Sequence, residues 1–365
     1  MESIYWNTDG DKATTNISYN CVDRHLMKDG YKHDIAMLWD GNFWDDDVHD
    51  YADLSWDVVD VLTRKIANIF KGFCGKARKL GKTGSHPSLD FLEIKKNDQQ
   101  GENDRILFLL HNVIQLPISI MAASRIGAVS VPLNPAESTT SQLIEVIQEI
   151  QPVLVVTVDA FWQGHKLIEI KKELDIAVQK LQTTSVKRIL VIRHTAPNDG
   201  VPPPDEFELN KEIETEWRDL VAKADISCDP VWTPKLQLRT ISTKQALIAA
   251  EQLAPLTVSD CLSLAHPQTA LGLIGFVAIW FSGKTLAIYE GPLDHPDPSR
   301  LKQVIRKFEL KSAIIPTCDL EPEYMAIVQV PTLTRIVTEH EDTALIQKCF
   351  PDIEVLQCNV KTSLE

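Results

Sequence analysis

The stretch "LRTISTKQALIAAEQL", Leu238 to Leu253, brings together Thr240, Ser242, Thr243 and Lys244. Hydroxyls followed by a lysine are the groups that hold nucleotide phosphates, through hydrogen bonds and a point charge. A loop that wraps phosphates also needs positions with φ > 0 and backbone unobstructed by Cβ, which glycine supplies at least steric cost. This segment has no glycine, and none occurs between Gly200 and Gly272. The same residues carry a second meaning. Ser242 followed three positions later by Gln245 fits a capping box, "KQALIAAEQL" is rich in helix formers, and Pro255 stops the run. The spacing predicts a capped helix where a phosphate loop would otherwise stand.

Other reactive residue types form no comparable pattern. The cysteines are Cys21, Cys74, Cys228, Cys261, Cys318, Cys349 and Cys358, an odd number at wide spacings without a C-x-x-C pair. That composition fits reduced thiols rather than a disulfide framework or a zinc site. The 10 histidines show no metal-ligand spacing, so no metal site is assigned, and His165 beside Lys166 reads as a surface residue. Cys318 lies beside Asp319 and Glu321, which would raise a thiol pKa and make a poor nucleophile. The chain has no G-x-S-x-G, G-x-G-x-x-G or H-E-x-x-H, and no catalytic residue is assigned. The aspartates between Asp40 and Asp60 lack the spacing and turn glycine of a calcium loop and read as helix-capping and solvated carboxylates.

The formal net charge of −14 over 365 residues repels phosphate backbones, which argues against nucleic acid as a partner. The start "MESIYWNTDGDKATTN" has neither a basic end nor an apolar stretch, so a cytoplasmic protein is expected. The longest apolar run, Ala270 to Phe281, is too short to span a bilayer and reads as a core helix; no membrane association is expected.

Elements that would position such groups alternate along the chain. Buried parallel strands are predicted at Arg105–Leu110, Pro152–Val158, Arg188–His194, Lys284–Glu290 and Ser312–Thr317, where apolar residues are continuous and β-branched. Helices are predicted at Ser55–Phe70, Val113–Ile126, Thr139–Ile150, Leu167–Leu181, Lys211–Ala224 and Pro298–Phe308. The alternation argues an α/β fold with largely parallel sheets and helices on both faces. Residues 71–104, opening on the basic "KGFCGKARKLGK", read as a polar insertion loop, and the run around Pro202–Pro204 as a stiff connector. Pro331–Cys358 reads as one further helix and strand.

Five segments occur in a telling order: "NISYNCVDRHL" (Asn16–Leu26), "IAMLWDG" (Ile35–Gly41), "LSWDVVDVLTRKIANIF" (Leu54–Phe70), "LPISIMAASRIGAVSVPLN" (Leu116–Asn134) and "VTVDAFWQGHKLIEIK" (Val156–Lys171). Together they resemble the N-terminal half of AMP-forming acetyl-CoA synthetase, of the adenylate-forming superfamily. A weaker match continues over Ser259–Thr317. The resemblance implies the fold of that family's large N-terminal domain. It divides the chain into an N-terminal segment, 1–70, the insertion, 71–104, a first α/β subdomain, 105–230, and a truncated second one, 231–365.

The family's chemistry is also implied. Acetate attacks the α-phosphate of ATP to give acetyl-AMP and pyrophosphate, and CoA then displaces AMP, with magnesium and backbone N–H groups holding the charge. The phosphate loop should follow Thr233-Pro234, which places it on Thr240, Ser242, Thr243 and Lys244. The CoA side falls on Gln163, Gly164 and Lys166, with Gln163 where the family has an arginine; a helix-leading turn with one solvated lysine is the alternative. The acyl pocket falls on Thr269, Ala270, Leu271 and Gly272. No glycine follows Gly291, so the family's adenine-binding and later nucleotide motifs find no match, and its small C-terminal domain would lie beyond Glu365.

These readings lead to an acetyl-CoA-synthetase-like protein without ligase activity, acting as a binding or regulatory relative with a protein partner such as an active paralogue. An acyl-CoA ligase working through an acyl-AMP is the alternative, and a truncated product that folds poorly is another. ATP, CoA and magnesium are expected only with residual synthetase activity.

Overall fold

Continuous apolar runs become strands here because both faces of their sheets are covered by helices. The computed structural model describes residues 3–8, 13–28, 30–45, 48–74, 104–181, 184–195, 209–232, 237–238, 241–293, 295, 297, 299–316, 330–339, 343–344, 347 and 351–360. In chain order the strands are β1 (Ile35–Asp45), β2 (Val48–Ser55), β3 (Arg105–Leu109), β4 (Val129–Leu133), β5 (Leu154–Val158), β6 (Phe161–Gln163), β7 (Lys166–Ile168) and β8 (Arg188–Ile192). They continue with β9 (Glu214–Glu216), β10 (Gln237–Leu238), β11 (Ile241–Ser242), β12 (Cys261–Ser263), β13 (Leu286–Tyr289), β14 (Ser312–Ile314), β15 (Arg335–Thr338) and β16 (Glu354–Gln357). The helices are α1 (Arg24–Leu26), α2 (Trp56–Phe73), α3 (Gln115–Ile126), α4 (Thr140–Ile150), α5 (Ile170–Lys180), α6 (Trp217–Lys223), α7 (Thr243–Leu253), α8 (Ala270–Phe281) and α9 (Ser299–Lys307).

Two seven-stranded sheets result. One has the order β11-β10-β4-β3-β5-β8-β9 and is parallel except for the β10–β11 pair. The other runs β16-β15-β14-β12-β13-β1-β2 and is parallel except for β1–β2. In the first sheet the chain goes from β3 to β4 on one side and then returns to β5 on the other. In the second it leaves β12 for β13 and then for β14 on the opposite side. Such reversals of strand order open crevices at the C-terminal ends of the strands, where open α/β sheets take their ligands.

The fold class is thus α/β with largely parallel sheets, and the N-terminal strands β1 and β2 complete the second sheet. Helix α8 is apolar all round, and its residues from Leu271 to Phe281 are buried, as its sequence demands. Among the described residues no helix is long and apolar enough to cross a membrane.

Several boundaries differ from the sequence reading for identifiable reasons. Residues 166–168 pair with β6 instead of starting a helix, so α5 opens only at Ile170. Residues 211–216 form a turn and the edge strand β9, leaving α6 at Trp217–Lys223. After Pro331 the chain adds two parallel strands, β15 and β16, where one was expected; among the described residues between them, 343–344 and 347 are helical. The acidic stretch at 48–55 is the edge strand β2. Asp40 is not solvated: it is fully buried and pairs with Arg300, while Lys307 Nζ lies 2.7 Å from its Oδ2. The insertion over 75–103, the Pro202–Pro204 run, Thr233-Pro234, Thr240, Cys318 and Cys349 lie outside the described residues. The cysteines Cys21, Cys74, Cys228, Cys261 and Cys358 are free thiols.

Candidate functional site

The motifs that carry the family resemblance meet in the structure as a brace. Arg125, on α3, donates from Nη1 to Asp23 Oδ2 at 2.6 Å and from Nη2 to Asp23 Oδ1 at 2.8 Å. Its side chain is fully buried, and Arg64 of α2 adds a third bond to Asp23 at 2.9 Å. The Asn16 amide donates to the carbonyls of Ser124 at 3.0 Å and Val231 at 3.1 Å, satisfying a helix-end acceptor. His25 Nε2 donates to the Trp280 carbonyl at 2.7 Å. "SYNCVDRHL" and "ASRIGAVSV" are therefore framework: they fasten the N-terminal segment to α3 and α8.

Where the sequence places the phosphate-loop residues, the chain forms the capped helix. Ser242 Oγ accepts the Gln245 N–H at 3.3 Å, and Gln245 Oε1 accepts the Ser242 N–H at 3.2 Å. Thr243 is buried under this cap, and Lys244 is exposed. Helix α7 packs its Ala246, Leu247, Ala250 and Leu253 into the core, a role that helical geometry serves and a phosphate loop would not.

On the CoA side, Gln163 and Lys166 face each other across the β6–β7 hairpin, and both are exposed. Gly164 makes its turn at φ 62°, in the left-handed region that favours glycine. The Asn42 side chain holds this turn, accepting from Gly164 N at 2.7 Å and donating to Gly164 O at 3.1 Å. The segment is a hairpin rather than a helix-leading turn.

The acyl-pocket positions form the first turn of α8. Thr269 caps it, accepting the Gly272 N–H at 3.1 Å, and Leu271 is buried. Gly272 lies so near the preceding loop that a Cβ would stand 2.1 Å from the His266 carbonyl oxygen. Backbone on both sides cannot step aside, so Gly272→Ala should cost about 1–3 kcal/mol as overpacking, read as a lowered denaturant midpoint. A packed helix start fills this place.

A cluster that sequence spacing did not show lies at the C-terminal ends of β3, β8 and β13. There His111, His194 and Glu290 converge from positions far apart in the chain. Glu290 Oε1 accepts from His111 Nε2 at 2.8 Å and from His194 Nε2 at 2.7 Å, so the contact bridges the two sheets. Burial pushes the Glu290 carboxyl up, but the two imidazoles outweigh it and hold it down to about 2. Burial pushes His111 below its ordinary value. On His194 burial also acts downward, yet the Glu290 charge prevails and raises it. The Glu290 carboxylate thus favours the protonated form of His194, whereas burial disfavours that form of His111. Phe161 stacks on the His111 ring at 4.0 Å, and Asp159 Oδ1 accepts the His194 backbone N–H at 2.9 Å. "RILVIRH" and "KTLAIYE" each placed a ligand-type residue at a predicted strand end, which was the available signal.

Comparison with known proteins accords with this architecture. The model of the AMP-binding enzyme family matches residues 96–230. An uncharacterized Caenorhabditis elegans protein, ZK112.6, is 37% identical over 145 residues, covering 39% of this chain and 84% of that protein. The acetyl-coenzyme A synthetase of Leptospira biflexa is 31% identical over 204 residues, and that of Pseudoalteromonas atlantica 26% over 228. Those matches cover 55% and 62% of this chain but only 25% and 28% of the synthetases. The crystal structure of Brucella canis acyl-CoA synthetase shares the fold at a TM-score of 0.66 and 15% identity, covering 96% of this chain and 57% of that one. With a buried brace built from the acetyl-CoA-synthetase-like motifs and these relatives alongside, the chain is AMP-forming-synthetase-like, and its residues 96–230 match the AMP-binding enzyme family.

Proposed function

We propose that this protein is a binding or regulatory relative of acetyl-CoA synthetase that does not carry out the ligase reaction. The local structure of Ser242–Leu253 carries the reading. The Ser242 hydroxyl is engaged by Gln245, Thr243 is buried, and Lys244 is exposed. Adenylation requires several donors converging on a developing phosphate charge, and each one lost typically costs ~3 kcal/mol. Gln163, a neutral amide, likewise lacks the bidentate charge that an arginine brings to a CoA phosphate. On this reading ATP, CoA and magnesium are not turned over. The protein acts in the cytoplasm through a protein partner, with an active paralogue the first to try.

The test is acetate-dependent ATP–pyrophosphate exchange by the purified chain, run beside calorimetric titrations with nucleotide and CoA. No exchange above a heat-killed control is the expected result. Exchange would overturn the proposal in favour of an acyl-CoA ligase working through an acyl-AMP. Binding of CoA or nucleotide without exchange would mark a ligand-sensing form of the same reading. A broad, non-cooperative melt would favour a poorly folded product instead.

A further inference from the structure

We propose that His111, His194 and Glu290 form a binding site for one divalent cation of the zinc class, joining the two sheets. The ligand atoms of the three residues lie within 4.8 Å of one another. Two imidazole nitrogens with one carboxylate, leaving a coordination position open, form a donor set that suits zinc and its neighbours. Magnesium and calcium prefer all-oxygen shells.

Burial and an unsatisfied atom distinguish this cluster from a surface ion pair. The side chains of His111, His194 and Glu290 are 5%, 19% and 3% exposed. Both imidazoles converge on Oε1, and Glu290 Oε2 is buried with no hydrogen-bond partner among the described residues. A buried carboxylate oxygen without a partner is costly in a low-dielectric interior, and a cation within reach of that carboxylate relieves the cost. The rings are also positioned in advance. Phe161 stacks on His111, Trp39 meets His194 edge-on at 6.4 Å, and Asp159 anchors the His194 backbone.

Metal binding exchanges the two N–H···O hydrogen bonds for metal–ligand bonds of about 2.0–2.2 Å, with the imidazoles bound as neutral rings. At a tetrahedral angle such bonds separate the ligand atoms by about 3.3 Å, against 2.7 and 2.8 Å here. The donors must part by roughly half an ångström. His194, the most exposed of the three, can supply that movement and the path from solvent. Any proton held on the ligand imidazole nitrogens is released on binding. This inference stands independently of whether the protein is a ligase.

The experiment strips the full chain with a chelator, then titrates it with Co²⁺ followed by Zn²⁺. One equivalent of cobalt should bind, with visible absorption at the intensity of a four- or five-coordinate centre, and zinc should abolish the band. Zinc should also raise the melting temperature. The band should be lost in His194→Ala and in Glu290→Gln, each checked for folding by near-ultraviolet circular dichroism. His194→Ala, at the more exposed position, serves as the folded control if Glu290→Gln fails to fold. A wild-type chain that binds no cobalt overturns the proposal, as does a band that persists in either folded variant. If both variants unfold, the wild-type stoichiometry and band decide the matter.

Discussion

Asp23→Ala will destabilise the protein by about 3–5 kcal/mol, because it strands the buried guanidinium of Arg125 without its counter-charge. Among the described residues Arg125 has no other carboxylate within bonding distance. Two of its nitrogens bond Asp23 at 2.6 and 2.8 Å, and its remaining contacts are to Ser18 Oγ at 3.2 Å and the Cys228 carbonyl. Arg64 would fare better, since it already holds Asp60 at 2.7 Å and is partly exposed. Urea denaturation at neutral pH measures the loss. The double variant Asp23→Leu/Arg125→Met should lose less than Asp23→Ala alone, since replacing a buried pair with apolar groups removes the uncompensated charge. A single-variant loss below 1 kcal/mol would show that the motif does not brace the fold in this way.

His266 will impose an acid sensitivity on the fold that starts near neutrality. Burial forces its pKa down from 6.5 to about 4, and the neighbouring His111 acts in the same direction. The hydrogen bonds explain why only the neutral ring fits. Nε2 donates to the Leu110 carbonyl at 2.8 Å, while Nδ1 accepts the Gln268 N–H at 3.0 Å. Protonating Nδ1 would set one N–H against another. The folded pKa is depressed, so the unfolded chain takes up the proton first. Stability is therefore intact above pH 6.5 and falls as pH drops toward 4.

The contribution is about 1.4 kcal/mol per pH unit at most, or about 3 kcal/mol over the full window. Unfolding free energies of wild type and His266→Gln at several pH values between 7 and 5 should differ in slope by nearly that amount. Other titrating groups are common to both proteins and cancel in the difference. Parallel slopes would show that His266 is protonated in the folded state. The loop is worth probing because it joins the sheets: Gln268 Oε1 also accepts the Asn134 N–H at 2.6 Å.

Local rules were legible wherever the physics was local. A strand buried on both faces needs a continuous apolar run, and "RILFLL", "RILVIRH" and "SAIIPT" supplied β3, β8 and β14. A capping box spans four residues, so Ser242 and Gln245 predicted the start of α7 without help from the rest of the chain. The edge strand β2, "VHDYADLS", was opaque for the converse reason. With one side open to solvent it needs no apolar run, and its carboxylates resembled a solvated loop.

The sequence alone determined the α/β class, the strands β3, β5, β8, β13 and β14, the capped start of helix α7, and the resemblance to AMP-forming synthetases. Tertiary structure decided which distant groups meet. Asp40 is held by Arg300, 260 positions away, and Asp23 by Arg125, 102 positions away. His111, His194 and Glu290 each follow a strand, but nothing local says that β3, β8 and β13 end at one place. That depends on the crossover order of two sheets and on how their C-terminal edges face each other. A charge or a ligand atom reports only its own position in the chain, and the partner it finds is set by packing.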